Sequence, residues 1–256
     1  MSRSTEQPPG RITRASLRKK TARVSRLLEQ HLGIPERRRP LPDPLDMLIA
    51  TILSQNTNDK NSHRAYTELR RRFPSWDLVA GARPSALRSA IRSGGMSNQK
   101  SSRIRETLEA VRIRYGRYDL SPLRKKTSDR IIAELTGLKG VGAKTAACVL
   151  LFSLGRDVFP VDTHVHRLCT RLGLAPGSTN PEKTYHAMKD LIPPGKGHTL
   201  HTNFIRFGRA VCRSGRPLCS VCPLYALCEF DGKGVPPVRR RVPSGTNHDF
   251  MLLDNV

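Results

Sequence analysis

Long apolar runs and acidic residues are what this 256-residue sequence lacks. Its longest strictly apolar run, Ala146 to Phe152, falls far short of the roughly 18 residues a membrane-spanning helix requires. No transmembrane span and no membrane partner are therefore expected. The first 25 residues contain no apolar core of a secretory signal. That leads to the expectation of a reducing, intracellular setting, cytoplasmic or nucleoid-associated in a bacterium. No stretch alternates polar and apolar residues between hairpin turns, which argues against strands, and no internal repeat is present. Asp and Glu total 21 against 45 for Lys and Arg, a formal net charge of +24. Such a surplus suits a polyanion, with nucleic acid ahead of an anionic membrane surface. The length is ample for a core built without disulfide staples.

Met1 to Pro40 holds eleven basic and three acidic residues. Residues 1–13 read as a disordered basic arm able to lie on phosphate, although an organelle transit peptide has the same composition. Val24, Leu27, Leu28 and Leu32 recur at helical spacing before Gly33 and Pro35, predicting a helix over 14–32. Asp43-Pro44 supplies an N-cap and an N1 proline, and Leu45, Leu48, Ile49, Ile52 and Leu53 follow on one helical face. Further helices are expected over 62–73, 84–93, 98–115, 128–137, 143–154, 162–172, 181–192 and 199–211. The fold class is all-α. Residues 231–256, with Pro236, Pro237, Arg239 to Arg241 and Pro243, read as a flexible tail.

Between two apolar helical runs lies Leu138-Lys139-Gly140-Val141-Gly142-Ala143-Lys144-Thr145-Ala146. Glycines two apart permit a tight turn, and the free N–H groups at the start of the second helix would face an anion such as a DNA phosphate. A plain helical hairpin would also use such glycines for close packing. Lys144 stands in the first turn of that second helix, where the helix dipole disfavours a cation. Desolvation and positive potential would lower its pKa and make it a nucleophile able to form a Schiff base; alternatively it is a surface lysine on phosphate. Asp162, in Val161-Asp162-Thr163-His164, is placed as an N-cap, and its carboxylate could also take a proton from Lys144 and stabilise cationic character on a sugar. His164 and His166 sit two apart on a helix, do not face one another, and are assigned no metal.

Cys212, Cys219, Cys222 and Cys228 form a C-x6-C-x2-C-x5-C pattern in a 17-residue window. Four thiolates can hold tetrahedral Zn²⁺ or a [4Fe–4S] cluster. Only one C-x-x-C knuckle is present, which leans toward iron–sulfur, with disulfides the weakest option. Cys148 and Cys169 lie on apolar helix faces and read as small core residues.

The hairpin with Lys144, the Val161-Asp162-Thr163-His164 stretch and the cysteine spacing, in this order, resemble the endonuclease III branch of the helix-hairpin-helix DNA glycosylases. The likeness runs from about Leu45 to Phe230. It implies a six-helix domain over 41–156 containing the hairpin (128–154), packed against a terminal domain of 14–40 plus 157–230 that holds a [4Fe–4S] cluster in the loop 212–228. Double-stranded DNA with a damaged base or abasic site would lie across the cleft between them, bound by a monomer. By the same resemblance Lys144 attacks C1′ of an extruded nucleotide with Asp162 assisting, and β-elimination follows. The damaged base is expected to be an oxidised pyrimidine. Leu53-Ser54-Gln55-Asn56-Thr57 resembles the family's wedge segment, with Gln55 and Asn56 both candidates to fill the gap, while Lys139, Gly140 and Gly142 would meet the backbone. Helix capping by Gln55 or Asn56 is the simpler alternative. Two rival functions remain: a glycosylase of this fold that removes uracil, mismatched thymine or adenine without cleaving the strand, and a noncatalytic iron–sulfur DNA-binding protein.

Overall fold

The computed structural model describes residues 13–37 and 39–236. The proposed arm up to residue 12 and the tail beyond residue 236 lie outside the described residues. All regular elements among the described residues are helical. Helix α1 spans Arg14–Leu32, with the Thr13 side chain accepting from the Ser16 N–H as its N-cap. Helix α2, Pro44–Ser54, starts as the sequence predicts, the Asp43 carboxylate accepting from the N–H groups of Leu45 and Asp46. Every residue from Met47 to Leu53 in α2 is buried. An all-round apolar helix belongs inside, and here α3 (Asp59–Arg72), α6 (Ser97–Tyr115) and α8 (Ala143–Cys148) pack around it.

The remaining elements are α4 (Trp76–Gly81), α5 (Pro84–Ala90), α7 (Ser128–Thr136), α9 (Thr163–Arg171), α10 (Pro181–Met188) and α11 (Gly197–Ala210). Helix α4 is absent from the sequence expectations; six residues are too few to show a periodic face. The expected helix 84–93 ends at Ala90 and passes into a 3-10 turn, Arg92–Gly94, before a left-handed Met96 opens α6. The expected helix 143–154 is an α-helix only to Cys148, then a π-helical turn from Val149 to Ser153. Helix α3 begins three residues early because Asn58 caps it, accepting from Asn61 N–H at 2.9 Å. Helix α10 stops at Met188, ahead of the expected 192.

Helix α11 packs against α9 and α1, and α10 joins α9 to α8. The C-terminal end of α2, the N-terminal ends of α8 and α9, and one face of α11 therefore converge. No helix among the described residues is long and apolar enough to cross a membrane.

Candidate active site

The turn before α8 has the properties its glycines predict. Gly140 has φ +79°, a conformation that favours glycine, and both Gly140 and Gly142 are exposed. Gly142 caps α8 without any side-chain bond, so the first N–H groups of the helix are free to meet an anion. Lys139 is 83% exposed and pairs with Glu106 at 3.2 Å.

Behind this turn lies a cleft of about 520 Å³. It is lined by Ser54 to Thr57 and Asp59, by Lys144 and the segment Val161 to His164, and by Pro181, His201, Ile205 and Arg209. Lys144 and Asp162, 18 residues apart in sequence, thus share one cavity. Asp162 is the N-cap of α9, its Oδ1 accepting from Val165 N–H at 2.8 Å. Capping fixes the carboxylate in place without consuming its second oxygen.

The charge state of Lys144 differs from the sequence expectation. Burial alone would lower its pKa, but the hydrogen-bonded Cys148 sulfur and the Asp162 carboxylate outweigh burial and hold it above the ordinary value. Burial raises the Asp162 carboxyl, yet His201, Lys144 and the Val165 N–H prevail and hold it below the usual range. Both shifts favour the charged forms of the two side chains. Cys148 was expected only as core; it is fully buried, as expected, and also touches Lys144 one turn along α8.

Several lining residues carry no sequence signal. His201 is buried, its Nδ1 2.9 Å from the Pro160 carbonyl and its ring edge-on to Phe152 and Phe159; burial pushes its pKa down to about 4. Arg209 donates to Asp59 at 2.6 Å, joining α11 to the start of α3 across the cleft. His166 meets Thr184 at 2.8 Å, and His164 contacts Arg167.

The two wedge candidates separate. Gln55 is tied down: its Oε1 accepts from Arg103 at 2.6 Å, and its Nε2 faces the Gly140 carbonyl at 3.5 Å and Thr145 Oγ1 at 3.4 Å. Asn56 is exposed at φ +53°, its amide 4.0 Å from the sulfur of Met96, itself at φ +49° and 46% exposed. Left-handed backbone at non-glycine residues is uncommon and concentrates at functional sites.

Cys212, Cys219, Cys222 and Cys228 are free thiols lining one hollow beside Leu218, Tyr225 and Phe230. Arg171 of α9 donates to Cys212 Sγ at 3.3 Å. Among the described residues no three His, Cys, Asp or Glu side chains converge closely enough to hold a single metal ion.

Comparison with known proteins adds independent findings. The model of the HhH-GPD superfamily of base excision DNA repair proteins matches residues 49–194. Endonuclease III of Thermotoga maritima is 37% identical over 195 residues, covering 75% of this chain and 87% of that protein. A relative from Arabidopsis thaliana bearing a DNA glycosylase name is 40% identical over 149 residues, 58% of this chain; the match spans only 51% of that protein. Among solved structures, a trapped covalent intermediate of endonuclease III with DNA superposes with a TM-score of 0.68 at 27% identity, covering 86% of this chain and 97% of that one.

Proposed function

The chain belongs to the HhH-GPD superfamily of base excision DNA repair proteins, and from that premise we propose that it is a DNA glycosylase with associated abasic-site lyase activity. The observation that carries this reading is the shared cleft of Lys144 and Asp162 beside a helix N-terminus free to hold a phosphate. Residues 41–156 and the terminal residues 14–40 plus 157–230 form the two domains flanking it. DNA lies across the cleft, drawn in by the cationic surplus, and the protein acts as a monomer on duplexes carrying a damaged, oxidised pyrimidine base.

Extruding the nucleotide costs a few kcal/mol and costs least for a damaged base. Asn56, assisted by the apolar side chain of Met96, fills the gap. With the nucleotide seated, Asp162 accepts a proton from the Lys144 ammonium, and the freed amine attacks C1′. The glycosidic bond breaks and the base leaves with its electron pair, the carboxylate supporting the cationic sugar. Ring opening gives the Schiff base to Lys144, whose positive nitrogen acidifies the C2′ proton. Transfer of that proton to solvent water breaks the C3′–O bond and expels the 3′ phosphate with its electron pair, and water then hydrolyses the imine to free the amine.

The four cysteines fit a [4Fe–4S] cluster. All four line one hollow, and four thiolates with a single C-x-x-C knuckle suit a cubane better than a two-knuckle zinc site. When bound, such a cluster supplies one-electron redox chemistry, and its cysteines would tie the chain after α11 to Arg171.

Borohydride trapping on abasic duplex, run beside a base-release assay, tests the reading. The expected result is covalent capture in wild type and none in Lys144→Gln. Base release without capture would establish a monofunctional glycosylase, and binding with neither would establish a noncatalytic DNA-binding protein.

A further inference from the structure

Two cations of helix α6, one turn apart, hold the chain just before and within the segment Ser54 to Thr57. Lys100 is 2% exposed. Its Nζ donates to the Leu53 carbonyl at 2.7 Å and to the Gly94 carbonyl at 2.8 Å. Leu53 lies in the last turn of α2, where carbonyls lack helical partners and the dipole favours a cation. A buried lysine spent on two backbone carbonyls joins the end of α2 to the turn that precedes Met96. Three residues on, Arg103 donates to Gln55 Oε1 at 2.6 Å. Its guanidinium lies over the hairpin so closely that a Cβ on Gly140 would stand 2.2 Å from Arg103 Nε. Gln55 in turn faces Gly140 and Thr145, the neighbour of Lys144.

We propose that Lys100 and Arg103 are positioning residues that lock Ser54 to Thr57 against the hairpin, making Gln55 a strut and leaving Asn56, rather than Gln55, to enter the gap beside Met96. Lys100 holds the backbone at the root of the segment, and Arg103 fixes Gln55 to the turn that meets phosphate. A left-handed Asn56 needs such support, because among the described residues its side chain's hydrogen-bond partner is the Met96 sulfur, 4.0 Å away. The enzymatic part of this inference rests on the glycosylase reading; the structural part does not.

The full-length chain is compared with Arg103→Met, Gln55→Met, the double variant and Lys100→Met. Three quantities are read: hydrogen exchange of the 54–57 backbone in the free protein, lesion excision under single-turnover conditions, and affinity for undamaged duplex. Arg103→Met is expected to speed exchange and slow excision about tenfold each, with undamaged-duplex affinity changed by less than about twofold. The double variant should lose no more than either single variant, since residues acting through one another are non-additive. Lys100→Met should speed exchange at 54–57 as well. Fluorescence of 2-aminopurine beside the lesion should report slower extrusion in every variant.

Unchanged exchange at 54–57 in Arg103→Met would overturn the proposal. So would additive losses in the double variant, or an equal loss on undamaged duplex, which would make Arg103 a phosphate contact. Arg103 is half-buried, so its variants keep the test decisive even where Lys100→Met does not fold. If wild type excises no base, the glycosylase reading fails while exchange still decides the positioning claim.

Discussion

Replacing Asp162 with Asn separates the carboxylate's two duties. The carboxylate caps α9 through Val165 N–H at 2.8 Å, and an Asn side-chain oxygen can accept the same bond. Asn and Asp are near-equal N-caps, so Asp162→Asn should unfold within about 1 kcal/mol of wild type, whereas Asp162→Ala should lose about 0.5–2 kcal/mol. Chemistry should part company with stability. The carboxylate is one of the influences holding the Lys144 pKa above its ordinary value. In wild type near neutral pH the ammonium form therefore prevails. Without Asp162, burial acts with less opposition, the pKa falls, and more amine is free. On a preformed abasic site, where no base has to leave, trapping should hold or rise and its pH profile should move toward lower pH. On a lesion that still carries its base, loss of both the proton acceptor and the negative charge should slow excision about 100-fold, or ~2.7 kcal/mol. The assay is single-turnover borohydride trapping and base release on the two substrates across the neutral range. Equal losses on both substrates, or a trapping profile displaced to higher pH, would refute the assignment.

Purified anaerobically, the chain should carry iron and acid-labile sulfide in equal amounts and lose both in Cys222→Ser; stoichiometric zinc without sulfide would refute the cluster. Burial pushes both His198 and His201 down to about 4, below the ordinary 6.5, so between those values the unfolded chain binds more protons. Stability should then be complete above about pH 6.5 and fall as the pH drops toward 4, by on the order of 3 kcal/mol per imidazole at the end of that range. A melting temperature unchanged between neutral pH and about pH 5 would contradict this. Gly140→Ala places a side chain at φ +79° and against Arg103, and should cost about 1–2 kcal/mol in denaturant unfolding. An unaltered midpoint would show that the turn relaxes freely.

What the sequence determined by itself is whatever a few adjacent turns encode. The Asp43-Pro44 start of α2, the Gly140 and Gly142 turn, the Asp162 cap and the cysteine spacing each act within one turn or one loop, and local chemistry is enough to read them. Periodicity located the long helices but missed α4, which is too short to show a face, and the π-helical turn after Cys148, which has the same apolar run as an α-helix. Only the tertiary structure decided the electrostatics and the geometry of the cleft. The pKa of Lys144 rises because Asp162 and Cys148 reach it, and no local pattern sums a field from separate elements against burial. His201 and Arg209 join the site from α11, more than fifty residues beyond Lys144, because that helix packs on α9. Gln55 and Asn56 are adjacent and chemically alike, yet Arg103 of α6 restrains one and leaves the other exposed, since a side chain's role depends on which neighbour's donor lies within hydrogen-bond reach.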